Sequence, residues 1–366
     1  MAAARRASQG RPAGSGSPTQ AGSRGASSGA VDLAAIQVAA GRLQTVVRRT
    51  PLLPIELSAR EGRCFLKLES MQTTGAFKFR GAYNALSALG PAERRYGVVA
   101  ASTGNHAIGV ARAALMLGLP ATILMPATAP PVKQALVAEA GADLRLYPGG
   151  IDEATDEARH VAAMSSRTFV SSYDDPLVIA GQGTIAIEVI EQLADRHELD
   201  GTSPTFLVPV GGGGLASGFA IAAKALVPAS LVYGVEPKLA AKGQESLDQD
   251  RIVRWPAERI GRTCADGLRV ARLGTLPFGI LPSLLDGILT VTESAIREAM
   301  YVAAFDLKVV LEPAGAVALA AWLGGGLSIP DGPVVCLATG GNVDPASFTR
   351  LATKGEGRAR SSVQRQ

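Results

Sequence analysis

Thr73-Thr-Gly-Ala-Phe-Lys78-Phe-Arg-Gly-Ala82 lies between a strand-like run, Cys64-Phe-Leu-Lys-Leu68, and a helical one that begins Tyr83-Asn-Ala-Leu86. It reads as a strand-to-helix turn, the unit from which α/β folds are built. One lysine stands in it between Phe77 and Phe79, with Gly75 and Gly81 three residues to either side. Apolar flanks penalise the charged ammonium and lower a lysine's pKa toward the reactive free amine. Such an amine is suited to forming a Schiff base with a carbonyl. A lysine that snorkels at a helix start fits this stretch equally well. The rest of the chain separates the two.

Outward from that turn the strand–helix rhythm continues. Upstream, Val31 to Val47 is helical and Arg48-Arg-Thr-Pro51 closes it. Downstream, strands are predicted at Gly97–Ala101, Ala121–Met125, Leu144–Leu146, Thr168–Val170, Thr205–Val210, Leu231–Val235 and Val334–Ala338. Helical patterns stand between them, among them Val132–Ala140, Ile151–Ser165, Ile185–His197, Leu215–Leu226, Ser294–Phe305 and Gly315–Leu323. Residues 237–290 read as irregular. Strands alternating with helices predict βαβ units. The expected fold is α/β, with two open, mainly parallel twisted sheets and the site in the cleft between them. A small domain is expected over 70–167 and a large one over 31–69 plus 168–351.

Composition bounds the function. With 366 residues, 47% hydrophobic, 19% charged and 42 glycines, the chain suits a well-cored enzyme. The net charge of +4 sits largely at the ends. Residues 1–30 hold Arg5, Arg6, Arg11 and Arg24 without an acid, and residues 352–366 add Arg358, Arg360 and Arg365. Both read as disordered tails and not as a nucleic-acid surface. Neither a secretory leader nor a membrane span is expected. Cys64, Cys264 and Cys336 are odd in number and far apart, which fits reduced thiols and offers no zinc spacing.

Gly211-Gly-Gly-Gly-Leu-Ala216 follows one predicted strand and opens a helix. Glycines there admit an anion close to the backbone, and the helix N-terminus supplies free N–H groups. A phosphate is the expected guest, since four consecutive glycines sacrifice backbone entropy. The same stretch also fits a dinucleotide fingerprint, Gly211-x-Gly213-x-x-Ala216 with Glu236 about 20 residues on. A weaker match is Gly181-x-Gly183-x-x-Ala186. An NAD-dependent oxidoreductase is thus the alternative. It leaves Lys78, Asn105 and Thr339-Gly-Gly-Asn-Val343 without roles, which decides against it.

Together these pieces resemble the tryptophan-synthase-β-like (fold type II) pyridoxal-phosphate enzymes, and within them the serine/threonine dehydratase and serine racemase branch. The resemblance covers about residues 40–350. It rests on Lys67-Leu-Glu-Ser-Met-Gln-Thr-Thr-Gly-Ala-Phe-Lys78, Ala101-Ser-Thr-Gly-Asn-His106 and Asp175-Pro-Leu-Val-Ile-Ala-Gly-Gln-Gly-Thr184. Val208-Pro-Val-Gly-Gly-Gly-Gly214, Glu312-Pro-Ala-Gly315 and Thr339-Gly-Gly-Asn-Val-Asp344 follow in the family's order.

The resemblance implies pyridoxal 5′-phosphate held on Lys78, with Gly211, Gly212, Gly213 and Gly214 around its phosphate. Asn105, Phe77, Glu312 and Thr339 would complete the cofactor site, Thr339 facing the pyridine nitrogen where the family usually has serine. Ser102, Thr103, Gly104, Asn105 and His106 would hold the substrate carboxylate. Lys78 and Thr103 would be the catalytic groups. The implied reaction is β-elimination of L-threonine or L-serine to a 2-oxo acid and ammonia. An amino-acid racemase or a 3-hydroxyaspartate ammonia-lyase on the same scaffold is the alternative. Relatives in the racemase branch bind a divalent cation through a Glu-Pro glutamate, a nearby carbonyl and a later acid. Here Glu236 and the Ala240 carbonyl are followed by Ala241-Lys242 where the acid belongs, so no metal is expected. The chain ends about 22 residues after Asp344, and no appended regulatory domain is expected. The expected setting is a cytoplasmic homodimer that binds a small amino acid and neither nucleic acid nor membrane.

Overall fold

Short aliphatic runs separated by helices form two sheets in the computed structural model, which describes residues 31–56, 63–325 and 332–355. In chain order the strands are β1 (Leu52–Ile55), β2 (Cys64–Leu68), β3 (Val98–Ala101), β4 (Ala121–Pro126) and β5 (Asp143–Tyr147). They continue as β6 (Thr168–Phe169), β7 (Thr205–Pro209), β8 (Leu231–Pro237), β9 (Gly287–Val291) and β10 (Val334–Ala338). The larger sheet runs β1-β2-β10-β7-β8-β9 and is parallel except for β1, which pairs antiparallel with β2. The smaller runs β5-β4-β3-β6 and is parallel throughout. Every residue of β2, β3, β4, β7 and β10 is buried. That is why these strands read as continuous apolar runs and do not alternate: helices cover both faces.

The first nine helices are α1 (Leu33–Leu43), α2 (Lys78–Ser87), α3 (Pro91–Tyr96), α4 (Asn105–Leu117), α5 (Pro131–Glu139), α6 (Ile151–Met164), α7 (Pro176–Ala194), α8 (Gly214–Leu226) and α9 (Lys242–Asp248). The largest departure from the sequence reading is α7, which begins nine residues before the expected Ile185. Asp175 caps it, accepting from the Leu177 and Val178 N–H groups, and Pro176 takes the first helical position. Gly181 and Gly183, read as a weaker dinucleotide match, lie inside the helix. A Cβ on Gly181 would stand 2.7 Å from the Arg80 carbonyl oxygen of α2, and one on Gly183 2.7 Å from the Gly218 carbonyl oxygen of α8. These glycines serve close helix packing, so the second dinucleotide-like match is a packing seam. α7 is also long and apolar enough to cross a membrane, but 67% of it is buried among other elements of the chain.

Residues 237–290, expected to be irregular, contain α9, a helix over Thr275–Leu284 and most of β9. β1 was not anticipated either. At four residues with Pro54 inside, it is a short edge strand. β6 pairs with β3, so the smaller sheet reaches Phe169, past the expected boundary at 167. Residues 352–355 were expected in the C-terminal tail, yet buried Ala352 ends the last helix and Gly355 packs on the Arg297 carbonyl. The rest of that tail and residues 1–30 lie outside the described residues.

Candidate active site

Lys78 is the first residue of α2, and the turn before it is docked on the turn that follows β10. The Phe77 N–H donates to the Thr339 carbonyl at 3.1 Å, and Ala76 bridges Gly340. Gly75 takes φ +72°, and a side chain there would strike the Asn342 amide. The Lys78 ammonium donates to the Ser172 carbonyl oxygen at 2.7 Å and stands 5.1 Å from the Phe77 ring centroid. It has no carboxylate partner among the described residues. Burial without a counter-charge lowers its pKa to about 8.

One cavity brings every anticipated site residue together: Phe77 and Lys78, the Ser102–His106 turn, the four glycines, Glu312 and Thr339 all line it. Two helices begin at its wall. α8 starts at Gly214 with Gly213 at its N-cap, and α4 starts at Asn105 with Gly104 at its N-cap. Neither glycine can cap the orphan N–H groups of the first turn, so each helix presents donors and the positive end of its dipole. Gly213 has φ +95°, and a Cβ on Gly212 would fall 2.2 Å from the Tyr173 ring. No larger residue fits at Gly212, Gly213 or Gly214.

The polar side chains are arranged less simply than their motifs suggest. Asn105 Nδ2 donates to Glu312 Oε1 at 2.5 Å, and its Oδ1 accepts from Asn342 Nδ2 at 2.9 Å. Glu312 therefore orients Asn105. Its other oxygen accepts from Lys133 Nζ at 3.2 Å, and Lys133 also donates to Asp266 Oδ2 at 2.7 Å. Burial pushes the Glu312 carboxyl up. For Lys133, burial is outweighed by the carboxylates of Glu312 and Asp266, which raise its pKa. Lys133 and Asp266 were given no role in the sequence, where a lysine following Pro130-Pro131 carries no motif of its own, and Asn342 was read only as part of the Thr339–Asp344 motif.

In the Ser102–His106 turn, Ser102 Oγ accepts from the Gly104 N–H at 3.1 Å. The Thr103 hydroxyl has no hydrogen-bond partner among the described residues. His106 is buried with Nε2 3.1 Å from the Val170 carbonyl oxygen. Burial, with the Lys78 charge, lowers its pKa to about 3, so the ring is neutral and donates from Nε2. Thr339 Oγ1 donates to the Ala314 carbonyl at 3.3 Å, a weak bond that another acceptor can replace.

Comparison with known proteins accounts for this arrangement. Residues 43–340 match the family described as pyridoxal-phosphate dependent enzyme. The chain belongs to that family. It is 40% identical over 315 residues to the L-threo-3-hydroxyaspartate ammonia-lyase of a Pseudomonas species, covering 86% of this chain and 96% of that one. It is 41% identical over 293 residues to the catabolic L-threonine dehydratase of Escherichia coli, covering 80% and 86%. The structure of maize serine racemase superposes with a TM-score of 0.81 at 34% identity, covering 90% of this chain and 99% of that one.

The cofactor of this family member is pyridoxal 5′-phosphate, and the residues present fit it. A buried amine without a counter-ion suits an aldehyde. A glycine turn that excludes side chains, at an uncapped helix N-terminus, suits a phosphate. Thr339 lines the same cavity and carries a hydroxyl, not a charge.

Proposed function

We propose that the chain is an ammonia-lyase that takes a 3-hydroxy amino acid such as L-threonine or L-serine to a 2-oxo acid and ammonia. The observation that carries the reading is the Lys78 amine, buried and held only by a carbonyl, with its pKa lowered to about 8 in the cavity that both uncapped helices face. Relatives named for 3-hydroxyaspartate and threonine support the same substrate class.

When bound, pyridoxal phosphate supplies an aldehyde for the substrate's amino group and a conjugated ring that spreads the charge left at Cα. Gly211–Gly214 and the first turn of α8 would hold the phosphate. Asn105, fixed between Glu312 and Asn342, would offer its remaining amide hydrogen to the ring's phenolic oxygen, and Phe77 would pack near the ring. The N–H groups at the start of α4 would receive the substrate carboxylate. Lys78 would hold the aldehyde and, once freed by the substrate's amine, would take the proton from Cα as general base. Nζ would then return a proton to the departing 3-hydroxyl, which leaves Cβ as water, and hydrolysis of the released enamine gives the 2-oxo acid and ammonia. Thr339 would offer the ring a hydroxyl and not a carboxylate, which would leave it a weaker electron sink and favour prompt loss of the β-substituent.

Racemisation is a second reading of the same site, favoured by the free Thr103 hydroxyl. The reading also takes in a cytoplasmic homodimer, open to light scattering and cell fractionation. Borohydride reduction of the holoenzyme followed by peptide mapping is expected to place the pyridoxyl group on Lys78, and the unreduced enzyme is expected to form oxo acid and ammonia in equal amounts. A label on Lys67, or enantiomer exchange without ammonia, overturns the reading.

A further inference from the structure

Four glycines in succession have no side chains with which to hold their own position, so the shape of the Gly211–Gly214 turn depends on what grips its flanks. Tyr173 packs against one side, its ring over Gly212 and its backbone over Gly214. On the other flank stands a group the reaction does not use. Lys242, the first residue of α9, is fully buried, as is Glu236 near the end of β8. Lys242 Nζ donates to Glu236 Oε1 at 2.8 Å and reaches the Val210 carbonyl oxygen at 3.4 Å. Val210 is the residue directly before the first glycine, and its N–H is tied to the Val235 carbonyl at 2.8 Å. Glu236 is satisfied further by the Gly243 and Gln244 N–H groups at 3.0 and 2.8 Å.

Burying two full charges is costly, and an apolar pair of similar volume is commonly as stable. A charge pair in this place therefore calls for a use beyond holding the core together. Glu236 already has two backbone donors, so what the ammonium adds is its link to the Val210 carbonyl.

We propose that Lys242 is a positioning residue for the cofactor's phosphate: its ammonium joins Glu236 to the Val210 carbonyl and so fixes the mouth of the glycine turn. This rests on the reading that the turn receives the phosphate. Lys242 is not among the residues that line the cavity. It acts through the backbone of β7 and its extension, as outer partners of a bound group do. Pyridoxal, which lacks the phosphate, is indifferent to that alignment.

The test compares binding of pyridoxal 5′-phosphate and of pyridoxal to the cofactor-free protein, by fluorescence titration. The ratio of the two dissociation constants is the advantage the phosphate confers. Lys242→Met and the charge-balanced Lys242→Met/Glu236→Gln are measured, each checked for folding by its circular-dichroism melt. If Lys242→Met fails to fold, the balanced variant carries the comparison. The expected result is a loss of about 10–100-fold in the phosphate advantage in the balanced variant, the range for removing an outer partner, with pyridoxal binding little changed. Recovery of the full advantage there overturns the proposal, because Lys242 would then only neutralise Glu236. Gly211→Asp separates this from the underlying reading. A side chain at Gly211 meets its nearest neighbour at 3.5 Å, ordinary contact, so the substitution fits and places a negative charge in the turn. If Gly211→Asp leaves the phosphate advantage intact, the phosphate lies elsewhere, and both the placement and the role of Lys242 fall. If it abolishes the advantage while the Lys242 variants keep theirs, the placement stands and Lys242 alone is refuted.

Discussion

On the proposed reading, Thr103 decides how many reactions one pocket supports. Elimination needs a single base at Cα, the role proposed for Lys78. Racemisation needs a second acid–base group on the opposite face of the same carbon. Ser102 is committed to the Gly104 N–H and the His106 ring to the Val170 carbonyl, which leaves Thr103 as the hydroxyl of that turn without a partner among the described residues. Its β-branch restricts χ1, so the oxygen is held in one of few directions. Thr103→Ala is expected to lower serine racemisation by about 10²-fold or more while sparing elimination of L-substrates, read by chiral chromatography beside oxo-acid release. Equal loss of both activities would make the hydroxyl a carboxylate anchor. The motif around Thr103 was legible in the sequence; which of its side chains face the cavity was not. Spacing gives the order of Ser102, Thr103 and His106, but the direction of the His106 ring depends on Val170, 64 residues away.

At the level of elements, the placement of Lys78 rests on helix α2, and α2 rests on buried charge. Arg80, two residues beyond Lys78, donates to both oxygens of Glu69 at 2.8 Å and to Glu188 Oε1 at 2.7 Å. Lys67 Nζ meets Glu188 Oε2 at 2.8 Å and the Thr50 carbonyl at 2.9 Å. Two cations and two anions thus link β2, α2 and α7, with Arg80 and Glu69 wholly buried. Removing one partner strands an uncompensated charge. Arg80→Met is expected to destabilise the protein by about 3–5 kcal/mol, seen as a lower denaturant midpoint with unchanged slope. A cost below about 1 kcal/mol would place these charges in wetter surroundings than the structure gives them. Strand β2 and the turn signal around Lys78 were readable because both are local, but α2 begins at Lys78, five residues before the expected Tyr83. The cluster was not readable, since Lys67 and Glu188 are 121 residues apart. The start of α7 was a different matter. Asp175-Pro176 is a clear helix start, but Gly181 and Gly183 imitated a dinucleotide fingerprint, and their reason lies in the facing backbones of α2 and α8.

Across the whole molecule, the smaller sheet's helix α5 meets the larger sheet's loops through one ammonium. Lys133 leaves α5, passes the Gly104 turn so closely that a Cβ there would stand 2.7 Å from its Cδ, and ends between Asp266 and Glu312. Burial, with the Asp266 carboxylate nearby and only partly offset by the Lys133 ammonium, makes Glu312 hold a proton more tightly than a free glutamate. A carboxyl whose folded pKa lies above its unfolded value binds more protons when folded. Its contribution is complete below the unfolded pKa of 4.5 and is lost as pH rises through the folded one. Lys133→Met removes the one cation that restrains this shift, so the folded pKa of Glu312 climbs further and the loss at higher pH deepens. The cofactor-free variant is therefore expected to melt closer to wild type at about pH 5 than at about pH 8, the gap widening steadily between them. Lys133→Arg, which keeps the charge, is expected to stay near the wild-type profile. A gap that is the same at both pH values would mean that Lys133 contributes packing alone, and that Glu312 keeps its charge, and its hold on Asn105, without it.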